Sequence, residues 1–159
     1  MSPTDALVQS LDSWQPIGPG PHTHTAAQPG WKTTVTADAN DSLATKATEV
    51  CIARTGPAPD GSTLRGWAES IAAKPAGLPE KLAIHEIDID AGVAVLRSAE
   101  PTRKGDSVGY YEATLTGTDE AKLRRYTANT AERTPREATP FVLTHESIAK
   151  VAETFAGTE

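Results

Sequence analysis

The sequence predicts one α+β domain over residues 1–159, with an antiparallel sheet of about five or six strands packed against two or three helices. Three observations indicate this class. Apolar residues recur at helical spacing near both ends of the chain and once in its middle. The segments between them alternate or are rich in β-branched residues. Their connections are short and local, which favours antiparallel pairing.

The first helix is predicted to begin after Ser2, whose hydroxyl suits a helix cap. Leu7, Leu11 and Trp14 follow at positions i, i+4 and i+7 and form its apolar stripe. Residues 15–30 contain four prolines and three glycines, a composition that predicts a loop within the domain.

Two strands are predicted next, at residues 31–37 and 47–54, because both are rich in β-branched residues. An alternative for residues 41–50 is a helical turn capped by Asp41 or Ser42. Turn residues fill 55–62, and a second helix then runs from a cap at Ser62 to residue 73. Its apolar face consists of Leu64, Trp67, Ala68, Ile71 and Ala72.

The clearest hairpin covers residues 81–99, with Gly92 in its turn. Its first strand is predicted to direct Ala83, His85, Ile87 and Ile89 inward. A further strand follows at 108–117, whereas 118–130 is either a fourth strand or a helix. The last helix is predicted from a cap at Thr144 to Gly157, with apolar residues at Ile148, Val151, Ala152 and Phe155.

Charge and composition exclude some functional classes. The formal net charge is −6, so the chain lacks the basic balance of a nucleic-acid-binding protein. Residues 97–136 are the exception, with 8 basic and 6 acidic residues. This segment is either a ligand-facing patch or a set of internal ion pairs.

The single cysteine, Cys51, excludes an intramolecular disulfide and a zinc site built on several cysteines. Its apolar neighbours indicate a buried, unreactive thiol. The first residues lack the pattern of a signal peptide, and no apolar run is long enough to cross a bilayer. The sequence therefore predicts a soluble, acidic cytoplasmic protein without a membrane partner.

Two clusters have residue types that bind metals. His22 and His24 would point the same way in an extended chain, but no further ligand completes a zinc site, so we expect no bound metal. Glu86, Asp88 and Asp90 alternate along one strand and could hold Mg²⁺ or Ca²⁺. No phosphate-binding glycine loop accompanies them, and the prediction is a solvated strand face that Arg97 partly neutralises.

The strongest candidate for binding is a set of tyrosines and arginines on neighbouring predicted strands. Guanidinium groups suit carboxylates or phosphates, and phenol rings supply stacking area. The alternative is that one tyrosine is in the core and the arginines pair with Glu112 and Glu120. The predicted ligand-binding residues are Arg97, Tyr110, Tyr111, Arg124 and Arg125.

The sequence contains none of the common motifs for nucleophilic catalysis or for phosphate and dinucleotide binding, which favours a non-enzymatic protein. The leading hypothesis is a protein-binding or chaperone-like domain that needs no cofactor. The alternative is an enzyme or small-ligand-binding domain that holds an anionic ligand in a pocket lined by tyrosine and arginine.

The order of predicted elements, the size and the acidic balance resemble those of small dimeric secretion chaperones, as an analogy of architecture. The low aromatic content separately predicts a homodimer, because pairing two chains would bury apolar surface that a single chain leaves uncovered. The expected interface is the sheet face with Tyr111, Ala113 and Leu115, or the outer side of the helix at 62–73.

Overall fold

A large antiparallel sheet dominates the structure, a computed structural model that describes residues 2–157. The three helices are α1 (Pro3–Asp12), α2 (Leu64–Ala72) and α3 (His145–Ala156). The ten strands are β1 (His22–Gln28), β2 (Trp31–Asn40), β3 (Ala44–Arg54), β4 (Leu82–Asp88), β5 (Val93–Ser98), β6 (Thr102–Lys104), β7 (Ser107–Thr116), β8 (Glu120–Asn129), β9 (Glu137–Thr139) and β10 (Phe141–Thr144).

Seven strands form a continuous path in the order β1-β2-β3-β8-β7-β5-β4. The three shortest strands pair beside this path. β6 extends the pairing of β7, β9 pairs with β8, and β10 pairs with β3. β3 therefore divides its inner edge between β8 at residues 50–53 and β10 at residues 44–47. Residues 137–144 thus lie between β3 and β8 at this end of the sheet.

The core lies on one face of the sheet, under all three helices. Leu11, Ile71 and Phe155 come from α1, α2 and α3 in turn and belong to the same buried cluster. Because side chains alternate between faces, every second residue of the central strands meets these helices. One fully buried row crosses five strands through Val35, Val50, Leu123, Ala113 and Leu96. The three helices do not cover the opposite face of the sheet, which we call the open face.

The predicted helix ends are present because each has its own capping group. The Ser2 hydroxyl accepts from the Asp5 N–H, and the Thr144 hydroxyl accepts from the Ser147 N–H. Gly157 ends α3 with φ 71°, a left-handed conformation that glycine adopts without strain. The second helix is also present, but Thr63 caps it rather than Ser62.

The mixed α+β class is confirmed, whereas the sheet is larger than predicted. Residues 118–130 contain the strand β8, and the region 41–50 contains the start of β3 rather than a helical turn. Asp41 Oδ1 accepts from the N–H groups of Leu43 and Ala44, both at 2.8 Å, so its side chain stabilises the turn between β2 and β3.

The predicted loop at 15–30 is wrong in its second half, which forms β1. Pro29 and Gly30 make a two-residue connection that returns the chain antiparallel to β2, and Gly30 has φ 78°. Pairing with β2 satisfies backbone hydrogen bonds of residues 22–28, although the composition of this segment alone predicts a loop. His22 and His24 consequently lie on a strand.

The predicted inward face of β4 is wrong for every member except Ile87. A register shift between Ile84 and Glu86 changes the alternation, so His85 is exposed. Ala83 faces Arg97 across the strands, on the open face. Ile87 still packs against the core, and Ile89 lies exposed in the turn after β4.

A polar network around the buried His145 joins the first and last helices. His145 Nδ1 lies 2.6 Å from Asp12 Oδ1, and its Nε2 lies 2.8 Å from Asn40 Oδ1. The Asn40 amide donates to the backbone oxygens of Leu11 and Trp14, so its carbonyl oxygen is the atom that faces the imidazole. Both ring nitrogens thus lie within hydrogen-bond distance of a side-chain oxygen.

Candidate functional site

A row of alternating charges crosses the centre of the open sheet face. Its members lie side by side on β3, β8, β7 and β5, in the order Glu49, Arg124, Glu112 and Arg97. Arg124 Nη2 donates to Glu49 Oε2 at 2.8 Å, and Arg97 Nε donates to Glu112 Oε1 at 2.8 Å. Each charge has a neighbour of opposite sign, as favourable cross-strand pairing requires.

Glu112 is the hub of this row and is only 5% exposed. Besides Arg97, it binds Arg136, whose Nη1 and Nη2 donate to Oε1 at 2.8 Å and Oε2 at 3.0 Å. Burial raises the pKa of Glu112, but the hydrogen bonds from Arg136 and Arg97 outweigh it, and the pKa is below its ordinary value. The carboxylate is therefore ionised at neutral pH.

Two tyrosines lie beside this hub. Tyr110 and Tyr126 are directly opposed on β7 and β8, with ring centroids 6.1 Å apart. The Arg97 guanidinium carbon lies 5.2 Å from the Tyr110 ring centre, and that of Arg136 lies 3.7 Å from the Tyr126 ring centre. Arg136 Nη1 also lies 3.1 Å from the Tyr110 hydroxyl. We call the five residues Arg97, Tyr110, Glu112, Tyr126 and Arg136 the Tyr/Arg cluster.

The predicted ligand-binding set is divided between the two faces of the sheet. Arg97, Tyr110 and Arg124 lie on the open face, whereas Tyr111 and Arg125 lie on the helix side. Consecutive residues of a strand point in opposite directions, so Tyr110 and Tyr111 cannot line one pocket together. The five residues form two separate groups.

The group on the helix side is an internal ion pair. Arg125 lies 3.5 Å from Glu80, and its guanidinium carbon is 4.6 Å from the ring centre of Tyr111, which is buried. Burial raises the pKa of Tyr111. An added side chain at Gly109 would meet Arg125 Nη2 at 2.8 Å, so the glycine makes room for the guanidinium.

Sequence reasoning missed the most connected arginine of the cluster. Arg136 lies in the irregular segment between β8 and β9, and nothing local indicates that it folds back over β7. Glu112 was considered only as a pairing partner, although its alternation with Tyr110 and Thr114 places it on the open face. Arg97 pairs with Glu112 rather than with the acids of β4 because β7 holds the opposing position.

The histidines and acids of the sequence have ordinary surroundings. His24 stacks on Trp14 at 5.1 Å and forms a hydrogen bond with Ser10, and burial lowers its pKa. His22 Nε2 lies 2.9 Å from the Gly18 backbone oxygen. Glu86 and Asp88 are exposed. Residues 2–157 contain no group of three or more His, Cys, Asp or Glu placed to hold a metal ion.

A concavity of about 200 Å³ on the open face is lined by Glu112, Arg124 and Tyr126. A larger one, of about 290 Å³, lies away from the Tyr/Arg cluster, between the N-terminus of α2, Arg54 and Trp67. This volume is at the lower limit for small-molecule sites. Arg54 is already engaged there, because its Nε donates to the Thr118 backbone oxygen at 3.1 Å.

No protein-family model matches the chain, and no curated protein or solved structure matches it at a significant level. Within the part of the chain that the structure describes, no helix combines the length and apolar character needed to cross a bilayer. The geometry of the open face is thus the main observation that bears on function.

Proposed function

We propose that the domain is a non-enzymatic binding module that contacts a folded protein partner through the open face of its sheet. The observation that carries the proposal is the Tyr/Arg cluster. Tyrosine and arginine are enriched among the residues that dominate protein–protein binding energies. Glu112 holds both arginines in place, which lowers the entropy lost when a partner docks.

The pairing of the arginines favours a protein over a small anion. An anionic ligand would need a free guanidinium fork, but Arg97 and Arg136 both bind Glu112, and Arg124 binds Glu49. Displacing the buried Glu112 carboxylate would leave its charge unpaired. A row of alternating charges, in contrast, is complementary to a mixed protein surface.

The distribution of exposed apolar side chains favours a folded partner over an unfolded segment. A chaperone for unfolded chains needs a contiguous apolar surface. The large exposed apolar residues of the described chain are instead spread over separate turns and edges, namely Ile17, Leu43, Ile84, Ile89 and Val142. A cytoplasmic location is part of the proposal, supported by the single free thiol of Cys51.

The proposal is tested with the double variant Tyr110→Ala/Tyr126→Ala. The matched control is Glu69→Ala, which changes an exposed residue of α2 on the opposite side of the sheet. Cross-linking and affinity capture with the unmodified protein identify a partner, and calorimetry then measures its dissociation constant for each variant. Circular dichroism confirms that each variant is folded.

We expect the double variant to bind at least about thirtyfold more weakly, the loss typical of a central contact residue, while the control binds normally. A partner that binds the double variant as tightly as the unmodified protein would show that the open face is not the binding surface. Equal loss in the control and the double variant would also contradict the proposal.

A further inference from the structure

The two edges of the sheet differ in how they are protected from pairing with another strand. The β4 edge has a register shift between Ile84 and Glu86 and carries the charges of Glu86 and Asp88. Irregularity and charge of this kind hinder the addition of a further strand. The exposed edge formed by β4 is therefore protected from pairing with a further strand.

β1 lacks these protections. Its seven residues, HTHTAAQ, include no acidic residue, lysine, arginine or proline. Its pairing with β2 is regular over the whole length, from His22 opposite Ala37 to Gln28 opposite Trp31. An unblocked, regular edge strand is a template for a further strand.

The hairpin geometry identifies which backbone groups β1 leaves unpaired. Gln28 and Trp31 flank the two-residue connection, and such a turn closes on a hydrogen-bonded pair. Hydrogen bonds to a neighbouring strand then involve every second residue. The N–H and C=O groups of Thr23, Thr25 and Ala27 therefore point away from β2.

We propose that β1 pairs antiparallel with β1 of a second copy of the chain, about a two-fold axis that passes midway between the two copies of Thr25. In this register, Thr25 opposes its own copy, and Thr23 opposes Ala27. Each of these pairs exchanges both backbone hydrogen bonds, so every outward donor on β1 meets an outward acceptor.

Side-chain chemistry favours a second copy as the occupant. The same register places His24 opposite Ala26 and His22 opposite Gln28, so no two charged side chains are opposed. The two-fold axis is perpendicular to the sheet, and the helices of both copies therefore lie on the same side. Pairing joins the two open faces into one continuous surface with two Tyr/Arg clusters.

The interface differs from the surfaces expected from the sequence. Tyr111, Ala113 and Leu115 are buried beneath the helices of their own chain and cannot contact a second copy. The edge strand β1 replaces that face as the surface of the proposed dimer. This inference is independent of the proposed protein-binding function.

The first test measures molar mass by sedimentation equilibrium from low to high micromolar concentration. We expect the mass to rise towards twice that of the single chain. Thr25→Pro removes the outward N–H without breaking a backbone hydrogen bond to β2, and it should remain monomeric at every concentration. It also removes the hydrogen bond between the Thr25 and Thr34 hydroxyls, which the control variant lacks as well. Thr25→Val, the matched control, keeps the N–H and the strand-forming side chain and should dimerise.

The second test fixes the register with cysteines in a Cys51→Ser background, which removes the native thiol. Thr25→Cys should form an interchain disulfide under mild oxidation, because the two copies of this residue are opposed. Ala27→Cys should not, because residue 27 opposes Thr23 of the partner subunit. A constant monomer mass, a dimer that persists in folded Thr25→Pro, or equal cross-linking at both positions would overturn the proposal.

Discussion

Removal of the charge at the hub of the open face should destabilise the whole domain. In Glu112→Gln the side chain keeps its shape, but the two guanidiniums lose the carboxylate that accepts their three hydrogen bonds at 2.8–3.0 Å. Breaking a buried ion pair costs about 3–5 kcal/mol. The Arg97 and Arg136 side chains are 34% and 36% exposed, so water recovers part of this loss. We expect a decrease of about 2–3 kcal/mol in the free energy of unfolding.

Urea unfolding at pH 7, followed by far-ultraviolet circular dichroism, measures this decrease. The m-value should be unchanged, because the variant alters stability and not the surface exposed on unfolding. The matched control is Glu49→Gln, whose pair with Arg124 is more exposed and should contribute less than about 1 kcal/mol. A decrease for Glu112→Gln below about 0.5 kcal/mol, or no larger than that of the control, would refute the structural role of the hub.

Unfolding measurements on wild type and Glu112→Gln at decreasing pH check the direction of the pKa shift of Glu112. The pKa of Glu112 is lower in the folded protein than in the unfolded chain, so its carboxylate adds stability above the unfolded value of ~4.3. This contribution is lost as the pH falls through the folded pKa. The stability difference between wild type and Glu112→Gln should therefore stay constant from pH 7 to about 5 and narrow below that. A difference that grows on acidification would contradict the shift.

Three further predictions concern the core, the thiol and the histidines. Phe155→Ala should lower the free energy of unfolding in urea by about 3–5 kcal/mol, because Phe155 is fully buried. Trp67→Ala should lower it by less, because Trp67 is partly buried, and the reverse order would contradict the packing. Burial and the nearby Glu120 and Glu49 raise the pKa of Cys51 to about 11. Alkylation of this thiol at pH 8 should therefore be about a hundredfold slower in the folded protein than in the protein unfolded in urea, and equal rates would contradict this. Elemental analysis should find no stoichiometric transition metal; zinc lost in a His22→Ala/His24→Ala variant would contradict the prediction.

The parts of the fold that sequence predicted are those in which neighbouring residues decide the structure. Helix α3 is the clearest case, since Thr144 and Gly157 supply both ends and the apolar spacing supplies the buried face. The strand β1 was missed because its structure depends on pairing with β2, while its own composition resembles a loop. The strands β6, β9 and β10 have three or four residues each, too few for a periodic pattern.

The candidate site was likewise predicted only where neighbouring residues decide the structure. The side-chain chemistry of two neighbouring predicted strands indicated Tyr110 and Arg124, whereas alternation along β7 separates Tyr110 from Tyr111. The predicted set combined these neighbours because strand periodicity was not applied to side-chain direction. Arg136 reaches Glu112 from 24 residues away through an irregular segment, and only the folded chain brings them together.

The bond between Asp12 and His145 has a consequence for biosynthesis. These residues are 133 positions apart, so α1 leaves the ribosome long before α3, the helix that it packs against, has been made. Until then, Leu7 and Leu11 lack part of the surface that buries them. Closure of such a distant contact slows folding. A product that stops before residue 145 would therefore leave the apolar side of α1 exposed, and covering it depends on the later synthesis of α3.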